Sequence, residues 1–388
     1  MNIPKLRFKE FTNKWLLLKE NIKILSGNMY PLSAYNDTGI LLIQGLNIYP
    51  KKLNLDKPIY ISNEFNAVKH LIIQKNDILI GLNRPIINNE LKICKFMYDY
   101  AYLYQRAGVL SFNKKKINTD CLYQYLQSHQ FIKNLSTELV GSDQPYIKSN
   151  LFNVVKIYFP KLEEQNKIAK FLTTVDKKIT NLENTITSLE NQKKGLLQQI
   201  FSQKLRFKDK NGNNYPNWKK KKLGDIFTIK AGGDICKENF SKQYSSEFKY
   251  PVYANALTNK GLYGYSNIYK IDKPSITVTG RGDVGFALSR KPFYYPIIRL
   301  LVLIPNININ FTFFTESINF IHIFNESTGV PQLTAPQLSK VNVYVPNIEE
   351  QNKIGNLFDK LNEKIDNKKA QLEHWKQIKK GLLQQMFV

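Results

Sequence analysis

Apolar positions follow two different rhythms along this chain. In the stretch 160–201 they recur at Ile168, Leu172, Val175, Ile179, Leu182, Ile186 and Leu189, in alternating steps of four and three. The stretch 346–387 repeats the same phase at Ile354, Phe358, Leu361, Ile365, Leu372 and Trp375. Such a seam predicts two long helices, each burying one stripe against a partner helix. Past their first residues, Pro160 and Pro346, neither stretch contains a proline, and a ring that cannot continue a preceding helix is tolerated at such a start. Elsewhere the rhythm is shorter. β-branched and aromatic runs at 39–44, 77–80, 275–279 and 341–345, punctuated by Asn, Gly and Asp, predict many short strands. One further helix is expected over 120–136, with Leu122, Tyr125, Leu126, Phe131 and Ile132 on its apolar side.

The two long stretches are copies of each other. Aligned without a gap at an offset of 186, they match at 18 of 42 positions, chiefly in Glu163-Glu164-Gln165-Asn166-Lys167-Ile168 and in Lys193-Lys194-Gly195-Leu196-Leu197-Gln198-Gln199. Lys193 and Lys379 interrupt the seam at equivalent places. A second repeat opens each half: Lys5-Leu6-Arg7-Phe8-Lys9 returns as Lys204-Leu205-Arg206-Phe207-Lys208, followed by Trp15 and Trp218, with Gly27 answering Gly232. Repetition of this kind points to two related units. The expected fold is α+β: mixed α/β modules at 1–159 and 204–345, and long helices at 160–203 and 346–388 joined as a coiled coil. Antiparallel pairing would relate the halves by a pseudo-twofold axis. Parallel pairing satisfies the same heptads and stays open at this point.

Charge changes the picture next. With 43% hydrophobic residues the chain has enough apolar content to fold, yet it carries 56 Lys+Arg against 31 Asp+Glu, a net +25. Glu163 to Phe201 holds six lysines against five acids, and Glu349 to Phe387 eight against six, so nearly all of the excess lies on the modules. An excess of this size suits a polyanion such as a nucleic acid. The most apolar stretch, 294–307, is broken by Arg299, Pro296 and Pro305 and is too short to span a bilayer. The first residues lack the apolar core of a secretory leader. Three separated cysteines suggest neither a disulfide framework nor a metal site. A cytoplasmic protein is expected.

Candidate contacts follow from turn chemistry. In each module a strand runs into a polar turn bearing arginine: Ile80-Gly81-Leu82-Asn83-Arg84 and Thr279-Gly280-Arg281-Gly282-Asp283. The planar arginine fork matches guanine O6 and N7, and glycine lets the backbone approach a ligand closely. An ordinary hairpin with a solvated arginine is the plainer alternative. Gln44, Asn47, Arg106, Arg290 and Lys291 are further candidates, while Lys114, Lys115 and Lys116 suit phosphate contact. The segment Gly280–Gly285 satisfies G-x-G-x-x-G, but Pro292 follows too soon for the helix that a dinucleotide site requires. No catalytic constellation and no metal-binding motif is visible.

Two variable modules, each closed by P-x-x-E-E-Q-x-x-I at Pro160 and Pro346, resemble the specificity subunits of Type I restriction–modification systems. The resemblance covers essentially the whole chain, from module openings at Trp15 and Trp218 to helix ends at Gly195 and Gly381. It implies that each module is a target recognition domain for one half of a bipartite double-stranded DNA site. It also implies that the helices pair antiparallel as a ruler and dock two methyltransferase subunits, with restriction subunits joining the assembly. S-adenosylmethionine, ATP and Mg would then be bound by those partners, and this chain would be non-catalytic in the bacterial cytoplasm. The other classes to weigh are a coiled-coil scaffold that binds only protein, and a degenerate DNA methyltransferase or nuclease.

Overall fold

The computed structural model describes residues 3–18, 22–62, 71–321 and 332–387. The chain divides into two compact units: Met1–Glu183 with Gln371–Val388, and Asn184–Ala370. Eight α-helices occur among the described residues: α1 (Thr119–Tyr125), α2 (His129–Glu138), α3 (Leu151–Val154), α4 (Leu162–Phe201), α5 (Leu223–Ile226), α6 (Phe311–Ile321), α7 (Ala335–Ser339) and α8 (Ile348–Met386). Each unit holds one module, part of α4 and part of α8.

In the first unit an antiparallel sheet has the order Ile93–Lys95, Ile78–Gly81, Ala107–Ser111, Lys23–Ser26. Ile78, Leu79 and Ile80 are all fully buried, which is why this strand reads as a continuous apolar run. Ile78 and Ile80 join the core beneath α1 and α2, while Leu79 points into a second core with Ile43 and Leu103. That second core backs a five-stranded sheet in which Ile40–Ile43 and Tyr100–Leu103 pair in parallel. The single helix expected over 120–136 is two helices. Ser128 accepts a hydrogen bond from the backbone N–H of Phe131 and so starts α2 afresh.

The second unit repeats this plan with different side chains. Its main sheet runs Ala287–Arg290, Ser275–Val278, Leu301–Pro305, Phe227–Ala231, strand for strand the order of the first. Its second four-stranded sheet again contains one parallel pairing, Tyr250–Tyr253 with Tyr295–Pro296. The strand Ile72–Gln74 and the pairing of Ile86–Ile87 with Glu90–Leu91 belong to the first module and account for part of its greater length.

The repeated motifs are the joints between module and helix. In the first unit the carboxylate of Glu164, 2% exposed, accepts two hydrogen bonds from the Arg7 guanidinium (both 2.7 Å) and one from Trp15 Nε1 (3.2 Å). In the second, Glu350 is fully buried and accepts from Arg206 (3.1 and 2.7 Å) and Trp218 Nε1 (3.0 Å). The next residue does a different job. Gln165 Nε2 donates to Pro160 O and its Oε1 accepts from Asn118 N, as Gln351 does with Pro346 O and Asn310 N. Asn118 and Asn310 in turn accept from Cys121 N and Phe313 N at the first turns of α1 and α6. Glu-Gln-Asn at a helix start, whose Asn166 and Asn352 accept from Asn118 Nδ2 and Asn310 Nδ2, thereby ties the module's opening segment and its own helix to one point. Leu6 N also donates to Gln385 O in the first unit, and Leu205 N to Gln199 O in the second.

Within each unit the two long helices run antiparallel, because partner numbers fall as residue numbers rise. Asp176 meets Lys379 (2.5 Å) and Glu183 meets Lys376 (3.4 Å) in the first unit. In the second, Glu190 meets Lys369 (2.7 Å) and the Phe201 and Phe358 rings stack at 6.5 Å. Val175, Leu182, Ile186, Leu189, Ile365 and Leu372 are buried, and Ile179, Leu361 and Trp375 are half-buried. The seam is not uniform, however. Ile168 and Leu172 belong to the core of the first module, and Ile354 and Phe358 to that of the second, so the first turns of each helix dock on their module. The helices run through Gly195 and Gly381 to Phe201 and Met386, within the bounds expected, because Leu196, Leu197 and Ile200, and Leu382, Leu383 and Met386, supply apolar burial beyond the glycine.

Removing a buried carboxylate that holds a guanidinium and an indole strands both donors. Glu164→Ala and Glu350→Ala should each cost about 3 kcal/mol in urea unfolding of the full chain, with Glu163→Ala, at an exposed first-turn position, within about 0.5 kcal/mol. Equal costs at Glu163 and Glu164 would contradict the clamp.

Candidate nucleic-acid interface

Both modules gather arginine-bearing turns at one end of the main sheet. In the first, the strand ending at Gly81 leads into Leu82–Arg84, and the adjacent strand begins just after Arg106. Leu82 N donates to Arg106 O (3.0 Å), and Arg84 N donates to Pro145 O (2.7 Å). A side chain on Gly45 would lie 2.5 Å from Arg106 O, so only glycine allows the turn after Gln44 to come this close. Gln44, Arg84 and Arg106 are thus brought together from three separate turns. Gln44 is half-buried and both arginines are exposed. Arg84 and Arg106 adopt left-handed backbone (φ 43° and 69°), a conformation costing a non-glycine residue about 1 kcal/mol and found preferentially at functional sites.

The second module builds the same corner. Leu333 N donates to Gly280 O (2.9 Å) as Ile147 N does to Leu82 O (2.9 Å), and the bridge between Arg281 and Gln332 repeats the bridge between Asn83 and Tyr146. Gly282, at φ 68°, therefore stands where Arg84 stands, and Arg281 where Asn83 stands. The two arginine turns are one turn, but their arginines occupy adjacent places in it. The true counterpart of Arg106 is Arg299. It is exposed, left-handed at φ 56°, and its carbonyl lies beside Gly280. Gly232 N donates to Leu300 O just as Gly27 N donates to Ala107 O, which fixes the equivalence. Sequence reading treats Arg299 only as a break in an apolar stretch; pairing it with Gly232, already visible as a repeat of Gly27, would have found it. Among the described residues no carboxylate pairs with Arg84, Arg106 or Arg299.

Other candidates lie elsewhere. Asn47 is corrected from a base reader to a brace: it is 7% exposed, its Oδ1 accepts from Gln44 N and its Nδ2 donates to Asn54 O. Arg290 is likewise internal at 9% exposure. Its Nε donates to Thr277 Oγ1 (2.9 Å), its Nη2 donates to Lys260 O (2.8 Å), and the guanidinium lies 3.8 Å over the Tyr253 ring. Burial lowers its pKa from the usual arginine value, and the final place of its strand turns it inward. Lys291 beside it is exposed and borders a cavity of about 710 Å³ that Arg290 and Tyr294 also line. Lys114, Lys115 and Lys116 follow the strand Ala107–Ser111, whose other end is Arg106, so roughly 17 Å of strand separates them from the arginine corner. Lys114 pairs with Asp77 (3.0 Å) and Lys116 O accepts from Gln165 Nε2, at the helix joint. Of the tyrosines, Tyr253 packs on Tyr294 and Tyr263 on Phe240.

Metal-binding and thiol groups are the remaining candidates among the described residues. No three His, Cys, Asp or Glu side chains cluster as a metal site. Burial pushes the Cys94 thiol up to about 12 and Cys121 well above its usual range, which leaves Cys236 as the exposed cysteine. No helix among them is long and apolar enough to cross a membrane.

Comparison with known proteins agrees with the repeat. A family model described as the Type I restriction modification DNA specificity domain matches twice, over residues 9–191 and 215–376. The type I restriction enzyme MjaVIII specificity subunit of Methanocaldococcus jannaschii is 32% identical over 197 residues, which is 50% of this chain and 46% of that protein. This chain thus covers less than half of that relative's length. A putative type I specificity subunit of Mycoplasma pneumoniae is 28% identical over 259 residues, 66% of this chain and 68% of that one. The crystal structure of a Type-I restriction-modification system S subunit from M. genitalium superposes with a TM-score of 0.68 at 18% identity, covering 100% of this chain and 99% of its own. At that identity the likeness speaks for the fold.

The left-handed arginines and the buried one should separate cleanly in urea unfolding. Arg106→Gly and Arg299→Gly relieve backbone strain and should leave stability unchanged or raised by up to about 1 kcal/mol. Arg290→Ala strands the Thr277 and Lys260 acceptors and should cost about 2 kcal/mol. Marked destabilisation by either glycine variant would mean that those arginines serve the fold.

Proposed function

Since the chain belongs to the Type I restriction modification DNA specificity family, we propose that it reads a bipartite double-stranded DNA sequence, one half-site per module, as a non-catalytic subunit. The observation that carries this reading is the recurrence of Arg106 and Arg299 at one corner of each module, exposed, left-handed and beside a turn whose sequence differs between the two. The common arginine suits the invariant part of DNA, the phosphates, and holds the module in register. The differing turn, Asn83–Arg84 in one module and Arg281–Gly282 in the other, suits base edges in the major groove. Gln44 extends the first reading surface. The basic surplus of the modules draws in the duplex by counterion release without choosing a sequence.

In this reading the chemistry is done by partners in the bacterial cytoplasm. Two methyltransferase subunits would bring S-adenosylmethionine, and restriction subunits would bring ATP and Mg, with the long helices as their scaffold. The test is co-expression with a Type I methyltransferase subunit followed by methylome sequencing of the host DNA. A new bipartite methylation motif with a fixed gap is expected; a stable complex that leaves the DNA unmethylated would make the chain a protein-binding scaffold instead.

Binding assays on the complex divide the arginines by role. Arg281→Ala should lose about 1–3 kcal/mol of discrimination at one position of one half-site. Arg106→Ala and Arg299→Ala should weaken binding alike on all sequences and reduce the salt slope by about 1 each. A base-specific loss at Arg299 would reverse the two assignments.

A further inference from the structure

A lysine interrupts the helix seam in each unit, Lys379 buried in the first and Lys193 half-buried in the second, and its surroundings are the same chemistry with two positions exchanged. In the first unit Lys379 of α8, 5% exposed, donates to Asp176 Oδ1 of α4 (2.5 Å), and Gln124 Nε2 of α1 donates to Asp176 Oδ2 (2.6 Å). In the second unit Lys193 of α4 donates to Glu316 Oε1 of α6 (2.6 Å), and Asn362 Nδ2 of α8 donates to the same oxygen (3.1 Å). Lys379 and Lys193 are equivalent in the repeat, as are Asp176 and Asn362. Gln124 and Glu316 are equivalent too, since each lies six residues after the asparagine, Asn118 or Asn310, that starts its module helix and bonds the frame glutamine. Both triads contain one lysine, one carboxylate and one amide, and Lys379 makes a further, longer bond to Gln127 Oε1 (3.4 Å). The carboxylate comes from the long helix in the first unit and from the module in the second.

We propose that this triad is a matching surface between a module and the pair of long helices it docks on, and that it restricts which module can occupy which place. An ammonium largely shielded from water is stabilised by one carboxylate that an amide also holds. With two carboxylates it faces an unpaired negative charge, and with none it is itself unpaired, and either arrangement is costly out of water. Placed on the helices of the first unit, a module bearing Glu316 would set that carboxylate against Asp176. Placed on the helices of the second, a module bearing Gln124 would leave Lys193 with two amides. The partner that fits the first helix pair is thus a module with an amide at this position, and the second fits a module with an acid. This match is independent of DNA reading.

A double-mutant cycle on the full chain tests it by thermal unfolding. Gln124→Glu and Asp176→Asn should each lower the midpoint by about 5 °C or more, while the double variant, which copies the arrangement of the second unit, returns to within about 2 °C of the parent. Glu316→Gln, Asn362→Asp and their combination should behave the same way. Should the single variants fail to fold, the two double variants decide alone: soluble, folded chains with parental midpoints support the match. Double variants that lose as much as the sum of their singles, or that fail to fold where the parent does, overturn it.

Discussion

Two buried carboxylates hold this architecture together. Glu164 and Glu350 each sit at the first turn of a long helix and accept from an arginine and a tryptophan of the segment that opens the module. A buried charge is tolerable only when paired and fully hydrogen-bonded, and the fork of an arginine plus an indole N–H meets that demand. Because the acid cannot be satisfied by water, the opening segment has one place to go. The adjacent glutamine then captures the module's own helix through Asn118 or Asn310. Sheets of quite different composition can hang from such a joint, which explains how two modules of one topology differ so much inside.

This division also explains what is legible in the sequence. The joint uses contiguous residues, so Glu163–Ile168 and its copy are plain to see, and the long helices follow from their heptads. The strand at 78–81 is visible because burial on both faces makes it an apolar run, and that at 275–278 because Ile276, Thr277 and Val278 are β-branched. The arginine corner is harder. Its equivalences rest on hydrogen bonds between distant segments, Leu82 to Arg106 and Leu333 to Gly280, and loops of unequal length shift them out of alignment. That is why Arg84 and Arg281 look like counterparts, and why Arg299 passes for an interruption. Asn47 and Arg290 mislead for another reason: polar residues suggest solvent, and the acceptors that draw them inward, Asn54 O, Thr277 Oγ1 and Lys260 O, come from neighbouring segments.

The corner itself shows where the chain accepts strain. A turn built only for stability would favour glycine at positive φ, as at Gly282, yet three exposed positions there carry arginine. Side chains held in this way start from a fixed and narrow backbone geometry, which favours contacts with a rigid, regularly spaced ligand. The long helices, close to charge balance, add little to that attraction. Reading surface and frame therefore draw on separate residues, and changes in one leave the other largely intact.

The indoles of the two joints have a use beyond cohesion. The chain has three tryptophans, and two of them, Trp15 and Trp218, donate to the clamp carboxylates, one in each unit. An indole in contact with a buried charge emits differently from one released to water, so each junction carries its own intrinsic fluorophore. Replacing Trp375 and one of the pair leaves a single emitter, and the opening of one module from its helix becomes visible as a change of colour, without any attached dye.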